Sequence, residues 1–376
     1  MQLPRPEIDP DGLLEYSVVF TDRSLNHMSQ RFVGEMQSLL SILRETYNAT
    51  SVALVPGGGS YGMESVARQV AHDKCVMILR NGLFSYRWSQ IIEAGRITDE
   101  VTVVQARPVD DSPQAAWVPA PVEEVVAQIE QVRPEVLFAP HVETASGMVL
   151  PDDYLRAVAD AVHAAGGIFV LDCVASGPLW VDMADLGIDI VVSAPQKGWS
   201  GTPATGYVML RESGLEAVRS GTSSSFSLDL GAWLDISDAY VEGKAPYRAT
   251  LPTDAIVHNA EIARETVERG MDVLRKAQED LGGRVRELLA ERGFRSVAAD
   301  GYASPTVVVV HADDTSIQTG AAFKEVGPQV AAGVPLFCGE GDDWSTVRMG
   351  LFGLDKLEDV DATVTRLAEA LDRMGR

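Results

Sequence analysis

Apolar positions along the chain follow two alternating patterns. Short runs such as Ser51-Val52-Ala53-Leu54-Val55, Gly167-Ile168-Phe169-Val170-Leu171-Asp172 and Ile188 to Val192 are almost unbroken. Runs that short and that apolar predict strands buried on both faces. Between them, apolar residues recur three and four apart. Met28, Phe32, Val33, Met36, Leu39, Leu40 and Leu43 form one such series, which predicts a helix from Asn26-His27-Met28-Ser29 with one buried face. In chain order the pattern then predicts a strand over Ser51–Val55, a helix from Met63 to His72 and a strand from Lys74 to Leu79. A helix to Ala94, a strand from Glu100 to Gln105 and a loop over Ala106–Pro121 come next. A helix over Val122–Val132, a strand over Glu135–Ala139 and a polar loop, His141 to Gly147, follow. Pro151 suits the first turn of a helix running to Ala165, and strands end at Asp172, Val192 and Leu210. Strands and helices alternating in this way give a mostly parallel sheet covered on both faces, an α/β fold.

After Leu210 the pattern loosens. Ser220-Gly221-Thr222-Ser223-Ser224-Ser225 reads as a polar loop, Leu228–Val241 as a helix, and Lys244–Thr253 as irregular. A long helical stretch from Asp254 to about Arg292 leads to a strand at Thr306–Val310, a helix near Thr319–Val326, a strand at Ser345–Leu351 and a last helix from Leu357 to Met374. The division expected is an arm over residues 1–26, a large unit over 27–255 and a smaller α+β unit over 256–376.

In a sheet of this kind, ligands bind beyond the carboxyl ends of the strands. The glycine loop Pro56-Gly57-Gly58-Gly59-Ser60-Tyr61-Gly62, Thr144, Asp172 and Lys197 all fall at such ends, which predicts one site without naming its ligand. Lys197 lies in a turn between two buried strands. Desolvation lowers the pKa of an ammonium, and the neutral amine is a nucleophile able to hold pyridoxal phosphate as a Schiff base. The plain alternative is a lysine at a strand end with its head in water. Strand, glycine loop and helix together make a phosphate cradle, because glycine admits an anion close to the backbone and a helix start offers free N–H groups. Gly57, Gly59 and Gly62 also fit G-x-G-x-x-G, with Asp73 near the distance of a ribose-binding acid, so a dinucleotide and a ligand-free tight turn both stay open. Phe84 can cap a planar ring or belong to the core.

Charge narrows the partners. Thirty-one basic against 54 acidic residues give −23, which argues against nucleic acid. No apolar run is long enough to span a bilayer, and Met1-Gln2-Leu3-Pro4-Arg5-Pro6 has no apolar signal core. The three cysteines, Cys75, Cys173 and Cys338, show no metal-ligand spacing and leave one unpaired, so a reducing, cytoplasmic setting and no metal are expected.

From His27 to the last helix these residues resemble the class V aminotransferases of the fold-type-I pyridoxal-phosphate superfamily, most of all the alanine–glyoxylate and serine–glyoxylate enzymes. The resemblance implies a seven-stranded-type sheet, pyridoxal 5′-phosphate as cofactor and a homodimer with shared sites. It implies that Lys197 forms the Schiff base and moves the proton, with Gln196 on the phosphate. Asp172, 25 residues earlier, would pair with the pyridine nitrogen and keep the ring an electron sink. Val174 would pack under the ring, Phe84 would stack over it, and Thr144 would lie beside its substituents. Gly58, Gly59 and Ser60 would cradle the phosphate, and Tyr247 and Thr250 would reach it from the neighbouring subunit. Arg348 would clamp the substrate carboxylate, as a guanidinium fork does well. Four positions depart from the family's habit: Gly58 and Pro195 stand where serine is common, Ala145 where Ser or Thr is frequent, and Tyr61 is bulky beside the loop. The first three leave fewer side-chain donors around the phosphate.

The reaction expected is a ping-pong transfer of an amino group from a small amino acid, alanine or serine, to a small 2-oxo acid, glyoxylate or pyruvate. Three alternatives stand beside it. A lyase or desulfurase on the same fold would use Cys338 as its mobile thiol. A dinucleotide-binding dehydrogenase would use the glycine loop but leave Lys197 and Asp172 without roles. A binding protein without catalysis would need neither residue.

Overall fold

A single seven-stranded sheet organises the chain. The structure is a computed structural model and describes residues 5–11 and 13–376, so residues 1–4 and 12 of the predicted arm lie outside the described residues. The strands are β1 (Ser51–Pro56), β2 (Val76–Arg80), β3 (Val101–Gln105), β4 (Val136–Pro140), β5 (Ile168–Asp172), β6 (Ile190–Ser193) and β7 (Thr205–Leu210). Their spatial order is β1-β7-β6-β5-β4-β2-β3. The pairings from β6 through β3 are parallel, whereas β7 runs antiparallel to both β6 and β1. The expected sheet is thus found, with a mixed edge. Every residue of β4, β6 and β7 is buried, as their mostly apolar runs lead one to expect. Asp172 lies opposite Pro140 on one side and Val192 on the other, so β4, β5 and β6 end level. Their following loops therefore open onto one edge.

Helices α1 (Gln30–Tyr47), α2 (Gly59–Val70), α3 (Leu83–Gly95), α4 (Val122–Val132) and α5 (Asp152–Ala165) cover the sheet. The Ser29 hydroxyl accepts from the Phe32 amide and caps α1. Helix α2 begins at Gly59, earlier than the expected Met63, because the Gly58 carbonyl accepts from the amides of Tyr61 and Gly62 and draws the glycines into the first turn. Trp88 of α3 stacks on Phe138 of β4 at 4.3 Å between ring centroids, which fixes that helix on the sheet.

Beyond Leu210 the differences from expectation are larger. A helix, Glu212–Ser220, stands where none was expected. Its Gly214 packs so close to the Asp189 carbonyl that a Cβ would overlap the oxygen, so the residue that weakens the helical pattern is required by packing. The long helical stretch breaks at Gly270, φ 91°, into Thr253–Arg269 and Met271–Glu291. The last helix is likewise divided at Asp359 into Leu354–Glu358 and Val360–Arg373. A second, antiparallel sheet holds β8 (Val307–His311), β9 (Ala331–Ala332) and β10 (Thr346–Gly350) in the order β8-β10-β9. Its β9 has only two exposed alanines and no readable pattern. The segment His141–Gly147, expected as a polar loop, is buried throughout and forms a two-residue ladder, Val142–Glu143 against Met148–Val149.

Candidate active site

Where β4, β5 and β6 end beside the starts of α2 and α3, the chain leaves a cavity with about 500 Å³ of open space. Gly59, Ser60, Phe84, Thr144, Asp172, Val174, Gln196 and Lys197 line it. Residues drawn from segments more than a hundred positions apart are thus brought to one place by the sheet.

Asp172 is the last residue of β5 and is 6% exposed. Its Oδ1 accepts from the Val174 amide at 2.9 Å. Burial pushes its pKa up to about 6, helped by Glu143 and opposed by that hydrogen bond, Arg87 and Lys197. Lys197 sits in the β6–β7 turn, which is closed by Ser200 N–H to the Lys197 carbonyl and Gly201 N–H to the Pro195 carbonyl, at 3.0 and 2.8 Å. The turn is pressed on the Gly177 segment: a Cβ on Gly198 would lie 2.5 Å from the Gly177 Cα. Burial lowers the Lys197 pKa, the Arg348 charge lowers it further, and Asp172 acts in the opposite sense. Its Nζ lies 5.2 Å from the centroid of the Phe352 ring. An amine biased toward its neutral form is suited to carbonyl chemistry.

On the other side of the cavity is the start of α2. Gly58 occupies the N-cap position and offers no side-chain cap. Tyr61 and Gly62 bond back to the Gly58 carbonyl, so the amides of Gly59 and Ser60 are the ones left for an anion. A Cβ on Gly59 would lie 2.7 Å from a Val174 methyl, and one on Gly57 (φ 125°) would overlap the Tyr61 ring. Glycine is therefore a steric requirement at both. The Thr144 Oγ1 is buried and has no hydrogen-bond partner. A glycine cradle at a helix start, an unpaired hydroxyl, a strand-end carboxylate and a partly desolvated lysine are together a donor set that fits pyridoxal phosphate.

Two residues of the site were not singled out from the sequence. Glu143 is fully buried, and its carboxylate accepts from the amides of Phe84, Ser85 and Ala145 and from the Ser85 hydroxyl, at 2.7–3.2 Å. Burial still pushes its pKa up against those bonds. It holds the start of α3 and so sets Phe84. Arg87 lines the cavity itself, and its Nη1 donates to the Ser60 hydroxyl at 2.9 Å. Its position one turn after Phe84 on an amphipathic helix was the available signal.

The remaining predicted residues lie outside the cavity lining. Gly58 borders it as the N-cap residue of α2. Arg348, on β10, brings its Cζ to 5.6 Å from the Phe84 ring centroid while its Nε donates to the Ala332 carbonyl. Tyr247 is 56% exposed, its hydroxyl 3.3 Å from the Thr250 Oγ1 and its ring against His27. Neither Tyr247 nor Thr250 lines the cavity of its own chain.

Two alternatives lose their footing on geometry. Four strands stand between β1 and β2 in the sheet order, so the glycine loop does not join adjacent parallel strands as a dinucleotide fold requires. The Cys338 thiol donates to the Arg80 carbonyl at 3.4 Å, and burial pushes its pKa up to about 12, far from the thiolate that sulfur transfer needs.

Residues 13–362 match the family model described as Aminotransferase class-V. The chain is 27% identical over 377 residues to the 2-aminoethylphosphonate–pyruvate transaminase of Burkholderia ambifaria (strain MC40-6), with 96% of each chain covered. Among solved structures it is similar to the alanine–glyoxylate aminotransferase from Nostoc sp., with TM-score 0.78, 22% identity, and 94% and 89% of the two chains covered. It is also similar to the ureidoglycine–glyoxylate aminotransferase from Bacillus subtilis, with TM-score 0.77, 20% identity, and 96% and 87% covered. At these identities the structural likeness carries the fold and leaves the substrates open.

Proposed function

The chain belongs to the class V aminotransferases, which use pyridoxal 5′-phosphate, and on that premise we propose that it moves an amino group from a small amino acid, alanine or serine, to glyoxylate or pyruvate by a ping-pong route. The observation that carries this reading is the single cavity joining Lys197, Asp172, Thr144 and the start of α2.

In this reading each residue has one task. Bound cofactor supplies an electron sink for charge developing at the substrate Cα. Lys197 would hold the cofactor through its Nζ, and the same Nζ would move the proton at the substrate Cα. Asp172, ionised, keeps a proton on the pyridine nitrogen. Val174 and Phe84, both in the cavity lining, would hold the ring. Gly58, Gly59, Ser60, Gln196 and Thr144 hold polar groups of the cofactor, and Arg348 orients the substrate carboxylate. Tyr247 and Thr250 serve the cavity of a second copy of the chain. Their exposure supports this, as do Tyr16 and Val18 on the arm, 88% and 102% exposed, which leave apolar surface for a homodimer to cover. We place the boundary between a cofactor-binding unit and a C-terminal unit near Ala255, where the helix Thr253–Arg269 starts. We place the enzyme in the cytoplasm, a reading supported by three free cysteines. No helix among the described residues is long and apolar enough to cross a membrane.

A second reading keeps the reaction and changes the donor. Arg348 is half-buried beside Phe84, and a guanidinium fork binds a phosphonate as readily as a carboxylate. The donor would then be 2-aminoethylphosphonate and the acceptor pyruvate, as in the name of the Burkholderia relative.

Absorption spectra test both readings. The purified protein should show a visible band abolished by borohydride and altered in Lys197→Ala. Loss of that band on adding alanine, serine or 2-aminoethylphosphonate, one at a time, identifies the donor. A protein that neither contains nor takes up pyridoxal phosphate refutes the proposal, and intersecting two-substrate kinetics refute the ping-pong route.

A further inference from the structure

We infer that Arg87 is a ligand of the cofactor phosphate, acting with the Ser60 hydroxyl and the open amides of Gly59 and Ser60 as one oxyanion site. The inference rests on the reading of the cavity as the pyridoxal-phosphate site, and assigns to it a cation that the family resemblance did not supply.

The geometry starts from α3. Glu143 fixes the first turn of that helix, and Arg87 projects one turn after Phe84, its Cζ 5.1 Å from the Phe84 ring centroid. Its Nη1 donates to Ser60 Oγ at 2.9 Å. A hydroxyl that accepts from a guanidinium turns its own proton outward, toward an anionic oxygen in the cavity. The guanidinium has five N–H donors, and its partner is that hydroxyl rather than a carboxylate. Its charge is therefore available.

A phosphate dianion needs that charge. The partial charge of a helix start is about half an elementary charge. The start of α3 is already occupied by the buried Glu143 carboxylate, which leaves the start of α2 as the backbone source beside the cavity. Gly58 contributes no hydroxyl. Thr144, 5% exposed and with an unpartnered Oγ1, independently marks the cavity as built for a polar ligand. Arg87 supplies what the glycine loop lacks, and its bond to Ser60 sets it on the phosphate side of Phe84, whereas Arg348 approaches the same ring from β10.

The test is equilibrium binding of pyridoxal 5′-phosphate and of pyridoxal, which lacks the phosphate, to the cofactor-stripped enzyme and to Arg87→Ala, Arg87→Lys and Ser60→Ala. Charge-assisted hydrogen bonds to phosphate predict a loss of order 10- to 100-fold for pyridoxal 5′-phosphate in Arg87→Ala. Pyridoxal binding should change by less than about threefold, and Arg87→Lys should recover part of the loss because it keeps the charge without the fork. The 31P signal of cofactor bound to Arg87→Ala should titrate at higher pH than in the parent. Equal losses for both ligands would show a structural role and overturn the inference. Unchanged cofactor binding with a raised KM for the amino donor would overturn it in favour of a substrate contact. If Arg87→Ala does not fold, the charge-keeping Arg87→Lys carries the same comparison. Failure of the parent enzyme to bind pyridoxal 5′-phosphate would sink the function proposed above, and is distinguishable from failure of this inference, in which parent and Arg87→Ala bind alike.

Discussion

The Glu143 carboxylate accepts from both the amide and the hydroxyl of Ser85, at 2.8 and 2.7 Å, across 58 positions of sequence. A fully buried acid is tolerated only because it is saturated with donors, and three of the four come from the first turn of the helix that carries Phe84 and Arg87. Glu143→Ala strands those donors, and Glu143→Gln turns an amide N–H toward some of them. Each should lower stability by roughly 2–4 kcal/mol. Urea unfolding of the cofactor-free protein measures it. A change below about 0.5 kcal/mol in both variants would show that α3 is held by its packing on the sheet instead.

Asp172 makes the cofactor-free protein sensitive to pH. Its folded pKa, about 6, exceeds the ordinary 3.8, so the folded state binds the extra proton. Its contribution is intact below about pH 4 and is lost as pH rises to about 6. At 1.36 kcal/mol per pH unit the loss is roughly 3 kcal/mol. Asp172→Asn has no such titration, so the stability difference between parent and variant should narrow or change sign across pH 4–6 in the absence of cofactor. Parallel curves for the two proteins would count against the burial-driven shift.

Arg348 acts on Lys197 at a distance. Its charge is a named cause of the lowered lysine pKa, after burial. Arg348→Gln should therefore raise that pKa, and the pH above which the amine takes up cofactor should move upward. Arg348→Lys, which keeps a cation, should move it less. Borohydride trapping of bound cofactor as a function of pH reads the shift, and an unchanged midpoint in Arg348→Gln would exclude the coupling.

The lysine turn depends on a glycine. A methyl on Gly198 would meet Gly177 backbone, not a flexible side-chain end. Gly198→Ala should cost about 1–3 kcal/mol and displace Lys197, lowering cofactor uptake. Gly283, inside the helix Met271–Glu291, is the control, because a methyl there would have nothing within 4 Å. Gly283→Ala should stabilise by up to about 1 kcal/mol. Thermal unfolding and cofactor titration of the pair separate steric from general glycine effects.

The parts of the site legible in the sequence are those whose chemistry is carried by local pattern. Asp172 ends one apolar run and Lys197 lies in the turn that follows another, and the strand order brings them together without any further device. Arg87 and Glu143 were not legible, because each takes its meaning from a distant segment: Arg87 from a serine 27 positions earlier, Glu143 from a helix start 58 positions away. A charged residue in a polar stretch reads as solvated until its partner is known, which is why His141–Gly147 was expected as a polar loop and is buried. The Glu212–Ser220 helix escaped for a related reason, since Gly214 breaks its pattern to meet a carbonyl of the sheet. Tyr247 and Thr250, proposed above to serve a second copy of the chain, line no part of the cavity in their own.

The reversed direction of β7 has a mechanical result. Because β7 returns against β6 and then pairs with β1, the lysine turn is the tip of a hairpin whose second strand is zipped to the strand leading into the glycine loop. Pro56 lies opposite Thr205, and the Gly57 amide donates to the Ala204 carbonyl at 2.8 Å. The two ends of the cavity are thus fastened to one rigid frame before any ligand enters. In the function proposed above, the span from amine to anion cradle becomes a fixed gauge, against which a molecule is measured by length as well as by charge.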